Sequence, residues 1–514
     1  MTGAAPDAPV DTGRRDHFLD ALRVTFVRQA GSPAIVFGNE GTSLTFGALD
    51  AQARRGAAWL QGQGVAAGDR VALVTDAKRS FLAAHLAALY AGAVALPLNP
   101  RFTRDELRYF LTDSEAVVAV VGAAQRPIVE SLRDELPGLR SIVSDEDAVA
   151  PAASAAAYRD PGTAADSPCL MLYSSGTTGQ PKGVIHTQAN LASSLRALQE
   201  CWRISPDDVV VNVLPLFHIH GLSFATHLSL VAGACLRIEE SFHPRRTLQA
   251  VGQGTVFMAI PTFYYAFLDR PEFPVAARGW GNVRLFTCGS APIRPEVLPA
   301  LESILGRPVI NRYGSTEGHV ITSLPLDGPW PQGSVGPPLS GIELRIRRDD
   351  GSAAEAGEVG SVDLRGPNLF REYWRRPDAT RAAFAGGWFE TGDLGAVDAQ
   401  GFLTLAGRKH ELIITSGFNV YPPVVERVLN ACPGVRESAV LGLPDPRRGE
   451  RVVAIIVRDD PTLDERTLRG FCAERLVDYQ RPHEFRFLAD LPRNTMGKVL
   501  RKDIREQLGT SDEP

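Results

Sequence analysis

The chain has 514 residues, too many for one ordinary hydrophobic core, so two or more domains are expected. Its 54 basic and 59 acidic residues leave a net charge of −5, which argues against nucleic acid or an anionic membrane as a partner. Six cysteines (Cys169, Cys201, Cys235, Cys288, Cys432, Cys472) contain no CxxC pair, so a zinc knuckle or a disulfide framework is not indicated, and free thiols suit a reducing compartment.

Residues 1–13 lack the basic and apolar regions of a signal peptide and are expected to be a disordered leader, with 508–514 a frayed tail. A cytoplasmic protein follows. From about residue 17 to 400, β-branched runs alternate with Ala/Leu-rich helical patterns: RVALVT, FLAAHLAALYAG, AVALPLN, RDELRYFLTDS, AVVAVVG. That order predicts parallel sheets covered by helices. The longest apolar segment, FLAAHLAALYAGAVALPL, is interrupted by His85 and Tyr90 and reads as a buried helix entering a strand, not a membrane span. Farther on, CLMLY predicts a strand, and Thr187 can cap a helix through QANLASSLRALQECW. The stretch NVRLFTCGSAPIRPEVLPALESILGRPVINRYG predicts strand, turn, helix and strand again. The pattern changes at DLGAVDAQGFLTLAGRKHELI, read as a hairpin and a charged junction, after which a smaller α+β unit follows. A boundary at 409/410 divides the chain into 14–409 and 410–507.

Four segments can do chemistry. Between CLMLY and Thr187, Ser174, Ser175, Gly176, Thr177, Thr178, Gly179 and Lys182 form a hydroxyl-rich turn whose N–H groups can nest phosphate oxygens, although the spacing is not that of a Walker loop. A plain surface turn is the alternative. In NRYGSTEGHV, Tyr313 offers a face to a purine, Gly314 admits close approach, Thr316 can donate to a phosphate, and Glu317 is a hard ligand suited to Mg2+; taken alone, the segment reads first as a strand end with a capped helix start. Asp393 of WFETGDLG sits in a Gly-flanked turn, where a carboxylate can accept both hydroxyls of a ribose or simply close an Asx-turn. Lys498 in LPRNTMGKVLRK, taken singly, reads as solvated surface.

In this chain order, YSSGTTGQPKGV, YGSTE, TGDLG, GRKHELI and LPRNTMGKVLRK together resemble the adenylate-forming enzymes: acyl-CoA synthetases, 4-coumarate ligases, luciferases and peptide-synthetase adenylation domains. The resemblance runs from about LTFGALD to Lys502. It implies an α/β fold, with a large N-terminal domain of helix-covered mixed and parallel sheets plus a β-barrel-like part, and a small mobile α+β C-terminal domain. It implies an ATP-dependent ligase that forms an acyl-AMP, releases pyrophosphate, and passes the acyl group to CoA, with ATP, Mg2+ and CoA required.

By the same resemblance, Ser174 to Lys182 would hold the β and γ phosphates, Thr316 the α-phosphate, and Glu317 the Mg2+. Gly289, Ser290, Ala291 and Pro292 would form the adenine slot with Tyr313, Asp393 would clasp the ribose, and Arg408 would reach it from the junction. Lys498 would bridge the acid and the α-phosphate. After adenylation the small domain would swing about His410, which stands where the family usually has Lys or Asp, and bring Gly417, Phe418 and Asn419 over a pantetheine tunnel. His218 of LPLFHIHGLSF would close the acyl site, sharing a strand face with His220. The missing Asp in that segment argues against an amino acid substrate. FHIHGL resembles malonyl-CoA and oxalyl-CoA synthetases, which pair the second carboxylate with an arginine; Arg284 sits at the corresponding place, where monocarboxylate ligases also carry an arginine that braces the strand. Ser315, in place of a bulky Met, and His319 at the pocket rim imply a wider acyl group, so a dicarboxylate and a medium, cyclic or aryl acid both stay open. Partners are then small molecules, with a homodimer compatible. The rivals are a ligase limited to one half-reaction or serving a carrier protein, a luciferase-like oxygenase, and an ATP-binding scaffold that has lost catalysis.

Overall fold

The computed structural model describes residues 16–38, 40–149, 157–174, 180–494 and 497–509. Ser175, Gly176, Thr177, Thr178 and Gly179 of the hydroxyl-rich turn, and the leader 1–13, lie outside the described residues, as does most of 508–514.

Two large sheets are stacked with helices. One runs, edge to edge, Glu372–Tyr373, Lys182–Thr187, Pro168–Ser174, Val94–Pro97, Arg70–Val74, Ala116–Val121, Ser141–Ser144. Its central pairs are parallel, and Ala116–Val121 (AVVAVV) is buried at every position, as a strand covered on both faces must be. The other runs His319–Ser323, Val309–Ser315, Leu285–Cys288, Val256–Ala259, Val209–Asn212, Cys235–Ile238, Pro33–Phe37, Thr42–Thr45, parallel except at its two edges. One continuous core joins both sheets. The apolar segment after Arg70–Val74 is the expected helix, Lys78–Tyr90, entering the strand Val94–Pro97. Thr187 caps the helix Gln188–Trp202 through a reciprocal pair with Asn190, and the helix buries Leu191, Leu195, Leu198 and Trp202 at helical spacing.

The β-rich part is a five-stranded, wholly antiparallel sheet built from Glu343–Arg347, Gly360–Arg365, Trp388–Val397, Phe384–Ala385 and Leu403–Arg408. Leu403–Arg408 pairs with Trp388–Val397 to one side of the main path. Beyond it, Ile413–Thr415, Phe418–Val420, Val435–Asp445, Gly449–Arg458 and Glu484–Phe487 form a separate sheet carrying the helices Pro422–Asn430 and Glu465–Ala473 and its own two hydrophobic clusters. Among the described residues no helix is long and apolar enough to cross a membrane. All six cysteines are free.

Candidate active site

The strand Val309–Ser315 ends in Tyr313, Gly314 and Ser315, and the chain turns back at once into His319–Ser323. The segment is therefore a β-hairpin, and the alternative of a capped helix start is overturned. Gly314 is required by the bend, because a Cβ there would lie 2.1 Å from the His319 carbonyl oxygen. Thr316 and Glu317 occupy the hairpin's turn. Its backbone is held from the neighbouring sheet: His186 bonds the Thr316 carbonyl through Nε2 at 2.8 Å, and Phe370 N–H donates to the Glu317 carbonyl at 2.8 Å. A carbonyl only accepts, so His186 carries its proton on Nε2, and its Nδ1 must accept from His319 Nε2 at 3.0 Å. His319, expected at the pocket rim, is fully buried in this pairing and lines no open surface.

Tyr313 is buried and donates its hydroxyl to Asp393 at 2.5 Å. Burial and the Asp393 carboxylate push the phenol well above its ordinary range, so it stays a donor. Arg408 Nε meets the other Asp393 oxygen at 2.9 Å. Asp393 lies within the strand Trp388–Val397, opposite Arg408 in the register, rather than in the turn expected for it. Each carboxylate oxygen retains a lone pair for a further donor. Lys498 approaches the same place from the far end of the chain. Burial and Arg408 draw its pKa below that of an ordinary lysine, against the opposing pull of Glu411 and Asp393.

Lys182 opens the strand Lys182–Thr187, opposite Ser174 in register, and its ammonium lies 4.8 Å from the centroid of the Tyr373 ring. Tyr373 in turn donates its hydroxyl to Glu317 Oε1 at 3.2 Å. Sequence reasoning did not find Tyr373, whose strand Glu372–Tyr373 is only two residues long.

The acyl side differs most from expectation. His218 and His220 do not alternate on a strand, because residues 220–227 form a wide helical turn with i→i+5 bonding. Gly221 sits where a Cβ would come 2.3 Å from the Pro215 carbonyl, and Asn212 donates to the Gly221 carbonyl, so the chain is drawn into a coil. His220 Nδ1 lies 3.0 Å from Ser290 Oγ, and its buried Nε2 has no hydrogen-bond partner among the described residues. Ser290 follows Gly289 at the end of the strand Leu285–Cys288 with φ 71°, a strained conformation that aims its hydroxyl at this cluster. Ala291 and Pro292 continue the same turn. His218 is driven down to about 4 by desolvation, and His220 well below the ordinary range by burial and by Arg312. Both are neutral at physiological pH.

Arg284 is not in this cluster. It precedes the strand whose far end carries Gly289 and Ser290, and it clamps Asp208 with contacts of 2.8 and 2.7 Å while donating to the Trp202 and Arg203 carbonyls. It braces the opposite end of the sheet. The arginine that does reach the cluster is Arg312, which sequence reasoning passed over although it adjoins Tyr313. It is 4 % exposed, lies over the Phe224 ring at 4.9 Å, and approaches Ser290 Oγ at 3.4 Å through Nη2, with Nε unpartnered. Gly289 must be glycine here, since a Cβ would meet Arg312 Nε at 2.4 Å. One signal was available: ligands in α/β sheets bind at the carboxyl ends of strands, and Arg284 stands before its strand.

His410 follows Arg408 in a short 3-10 turn, 3.8 Å from Glu411, and burial lowers its pKa. Gly417, Phe418 and Asn419 are exposed, with Phe418 stacked on Tyr479 at 4.7 Å.

Known proteins are similar to this chain over most of its length. The pattern of the AMP-binding enzyme family matches residues 22–374, and that of the AMP-binding enzyme C-terminal domain matches 424–498. The chain is 34% identical over 472 residues to the long-chain-fatty-acid–CoA ligase FadD13 of Mycobacterium tuberculosis, covering 90% of this chain and 93% of that one. It is 33% identical over 470 residues to the oxalate–CoA ligase of Arabidopsis thaliana, with 86% and 89% covered. The crystal structure of ATP-bound MatB from Rhodopseudomonas palustris superposes with a TM-score of 0.90 at 36% identity, over 96% of this chain and 99% of that one. Two family patterns that together span most of the chain, and CoA ligases matched over nine-tenths of it, show that the chain belongs to the AMP-binding enzyme family and is an AMP-forming acid–thiol ligase.

Proposed function

We propose that this ligase activates an acid carrying a second carboxylate, with Arg312 and the Ser290 hydroxyl receiving the distal carboxylate while the other is adenylated. The observation that carries the proposal is Arg312 itself. Its guanidinium is buried, its pKa is pushed down to about 10 by desolvation, and among the described residues no carboxylate bonds it. A buried cation without a counter-ion costs several kcal/mol, a cost that a substrate bringing the anion removes. The neutral His220, which shares Ser290, adds a polar group without adding charge. The named relatives act on acids as different as long-chain fatty acids and oxalate, so the acid is argued here from the pocket.

The remaining roles belong to the same proposal. A carboxylate oxygen attacks the α-phosphorus of ATP, the Pα–O–Pβ bond breaks, and pyrophosphate leaves; the CoA sulfur then attacks the acyl carbon, AMP departs, and the thiol proton passes to solvent. Lys182 faces the β and γ phosphates, Thr316 the α-phosphate, Asp393 and Arg408 the ribose, and the Gly289–Pro292 turn with Tyr313 the adenine. Glu317 suits Mg2+: one oxygen takes the Tyr373 hydroxyl, and a single protein carboxylate is what this ion uses when phosphates and water complete its shell. Bound there, the ion would screen the phosphate charge. Lys498 bridges the acid and the α-phosphate. The division at 409/410, a swing about His410, and a pantetheine path past Gly417, Phe418 and Asn419 are supported by the separate cores and by Phe418 being 53% exposed. Six free cysteines support a cytoplasmic site of action.

The test is a panel of acids matched in length, with one carboxylate or two, supplied with ATP, Mg2+ and CoA. Pyrophosphate release and the thioester mass are read. Diacids should exceed their monoacid counterparts in kcat/KM by about a hundredfold or more, because a buried donor left unpaired is costly. Equal turnover of both would overturn the proposal.

A further inference from the structure

We propose that Tyr373 is a positioning residue that keeps Lys182 and Glu317 apart and separately poised before ATP arrives. The inference rests on the reading of Lys182 and Glu317 as the triphosphate and Mg2+ side of the site. An ammonium and a carboxylate that serve one polyanion face a physical problem: in the empty site they attract each other, and a direct ion pair would neutralise both. The structure resolves this with one aromatic side chain. Its ring face carries the Lys182 ammonium at 4.8 Å, and its hydroxyl donates to Glu317 Oε1 at 3.2 Å. The cation is thus held by a quadrupole, which a phosphate displaces readily, and the carboxylate by a hydrogen bond from a neutral donor.

Tyr373 has little freedom to do otherwise. It is 7% exposed, packs on Phe370 at 4.6 Å, and pairs with Val184 on the strand that Lys182 opens. Its own N–H donates to Thr380 Oγ1 at 3.0 Å. The flanking chain is stitched to the same two elements: Phe370 N–H bonds the Glu317 carbonyl, Arg371 N–H that of Ile185, and Trp374 N–H that of Gly183. The segment therefore fixes the backbones of the lysine strand and the glutamate turn relative to each other, and Tyr373 fixes their side chains. Its phenol is raised well above the ordinary range by burial and by Glu317, so it remains a donor at working pH.

The test separates ring from hydroxyl by calorimetric binding of ATP with and without Mg2+, in the absence of acid. Tyr373→Phe keeps the ring and loses the donor. It should raise the Mg2+ concentration needed for half-maximal enhancement of ATP binding about fivefold and leave Mg2+-free ATP binding unchanged. Tyr373→Leu should lower Mg2+-free ATP affinity about tenfold, as Lys182 closes on Glu317, and adding Glu317→Gln should restore most of that loss. Far-UV circular dichroism and urea melts that match the parent protein report folding in each variant. If Glu317→Gln gives no rescue, or if Tyr373→Phe leaves the Mg2+ dependence unaltered, the spacer role is wrong. Should Tyr373→Leu fail to fold, the Phe variant still decides. If Lys182→Ala and Glu317→Gln alone leave ATP and Mg2+ binding untouched, the underlying reading of the site falls instead.

Discussion

Arg312→Met tests the substrate proposal where its energetics are largest. Methionine matches the length and polarisability of the arginine stem, so the packing against Phe224 and Gly289 is largely kept while the charge goes. Desolvation draws Arg312 from the ordinary guanidinium range down to about 10, which corresponds to roughly 3 kcal/mol of unfavourable charge burial. The folded pKa lies below the unfolded one, so the folded chain holds this proton less tightly, and the penalty is present in full at every pH below about 10. Removing the charge should therefore stabilise the ligand-free protein, by about 1 to 3 kcal/mol after relaxation. The same substitution should cost a diacid about 3 to 4 kcal/mol of binding at its distal end, roughly 10²–10³ in kcat/KM. A monoacid ending in a methyl group should gain. The assay is pyrophosphate release with matched acids, alongside urea melts with and without diacid, which should protect the parent protein and not the variant. A less stable variant that keeps its preference for diacids would refute the reasoning.

Lys498→Ala should slow adenylation about a hundredfold or more while leaving thioester formation from synthetic acyl-AMP largely intact, and equal loss in both steps would contradict its bridging role. Arg284→Met should leave the acid preference unchanged yet destabilise the fold by about 3 kcal/mol, since it strands Asp208, whose side chain is only 3% exposed. Urea melts and the acid panel read the two effects, and a shift in acid preference would return Arg284 to the pocket. Burial holds His85 down to about 3, His186 to about 4, and His220, His227 and His319 well below the ordinary range. The unfolded chain takes up these protons below about pH 6.5 and the folded one does not, so stability is full above that pH and is lost as pH falls toward 4. Urea melts between pH 7.5 and 5 should show the decline, and replacing the bonded pair His85 and His227 by leucines should flatten part of it; a level profile in the parent protein would refute this.

The residues proposed for the nucleotide were picked out from local chemistry: glycine and hydroxyl residues beside a lysine, and a tyrosine, threonine and glutamate at a strand end, each lie within ten residues of one another. The helix that follows Thr187 and the strands built of valine and alanine were legible for a similar reason, since capping and burial act over one or two turns. Errors arose where the decisive contact is distant. The period-two spacing of Phe217, Ile219 and Gly221 around the two histidines imitates a strand, and only Asn212 and Pro215 from the preceding segment wind it into a coil. Asp393 reads as a turn between glycines, but Arg408 across the sheet holds it in a strand.

The acyl end was hard to read for a deeper reason. Its polar cluster joins His220, Ser290 and Arg312, which come from three elements, and none of the three is unusual in its own neighbourhood. Two arginines stood near the ends of adjacent strands, and sequence spacing alone favours neither. The fold decides: the one at the amino end is neutralised by Asp208, and the one near the carboxyl end bonds no carboxylate among the described residues. Ser290 ties this choice to the nucleotide. Its strained backbone belongs to the turn proposed above to face the adenine, and its hydroxyl lies between His220 and Arg312. On that proposal a shift in the turn as ATP binds would carry the hydroxyl with it, and the geometry that selects the acid would be completed by the substrate that activates it.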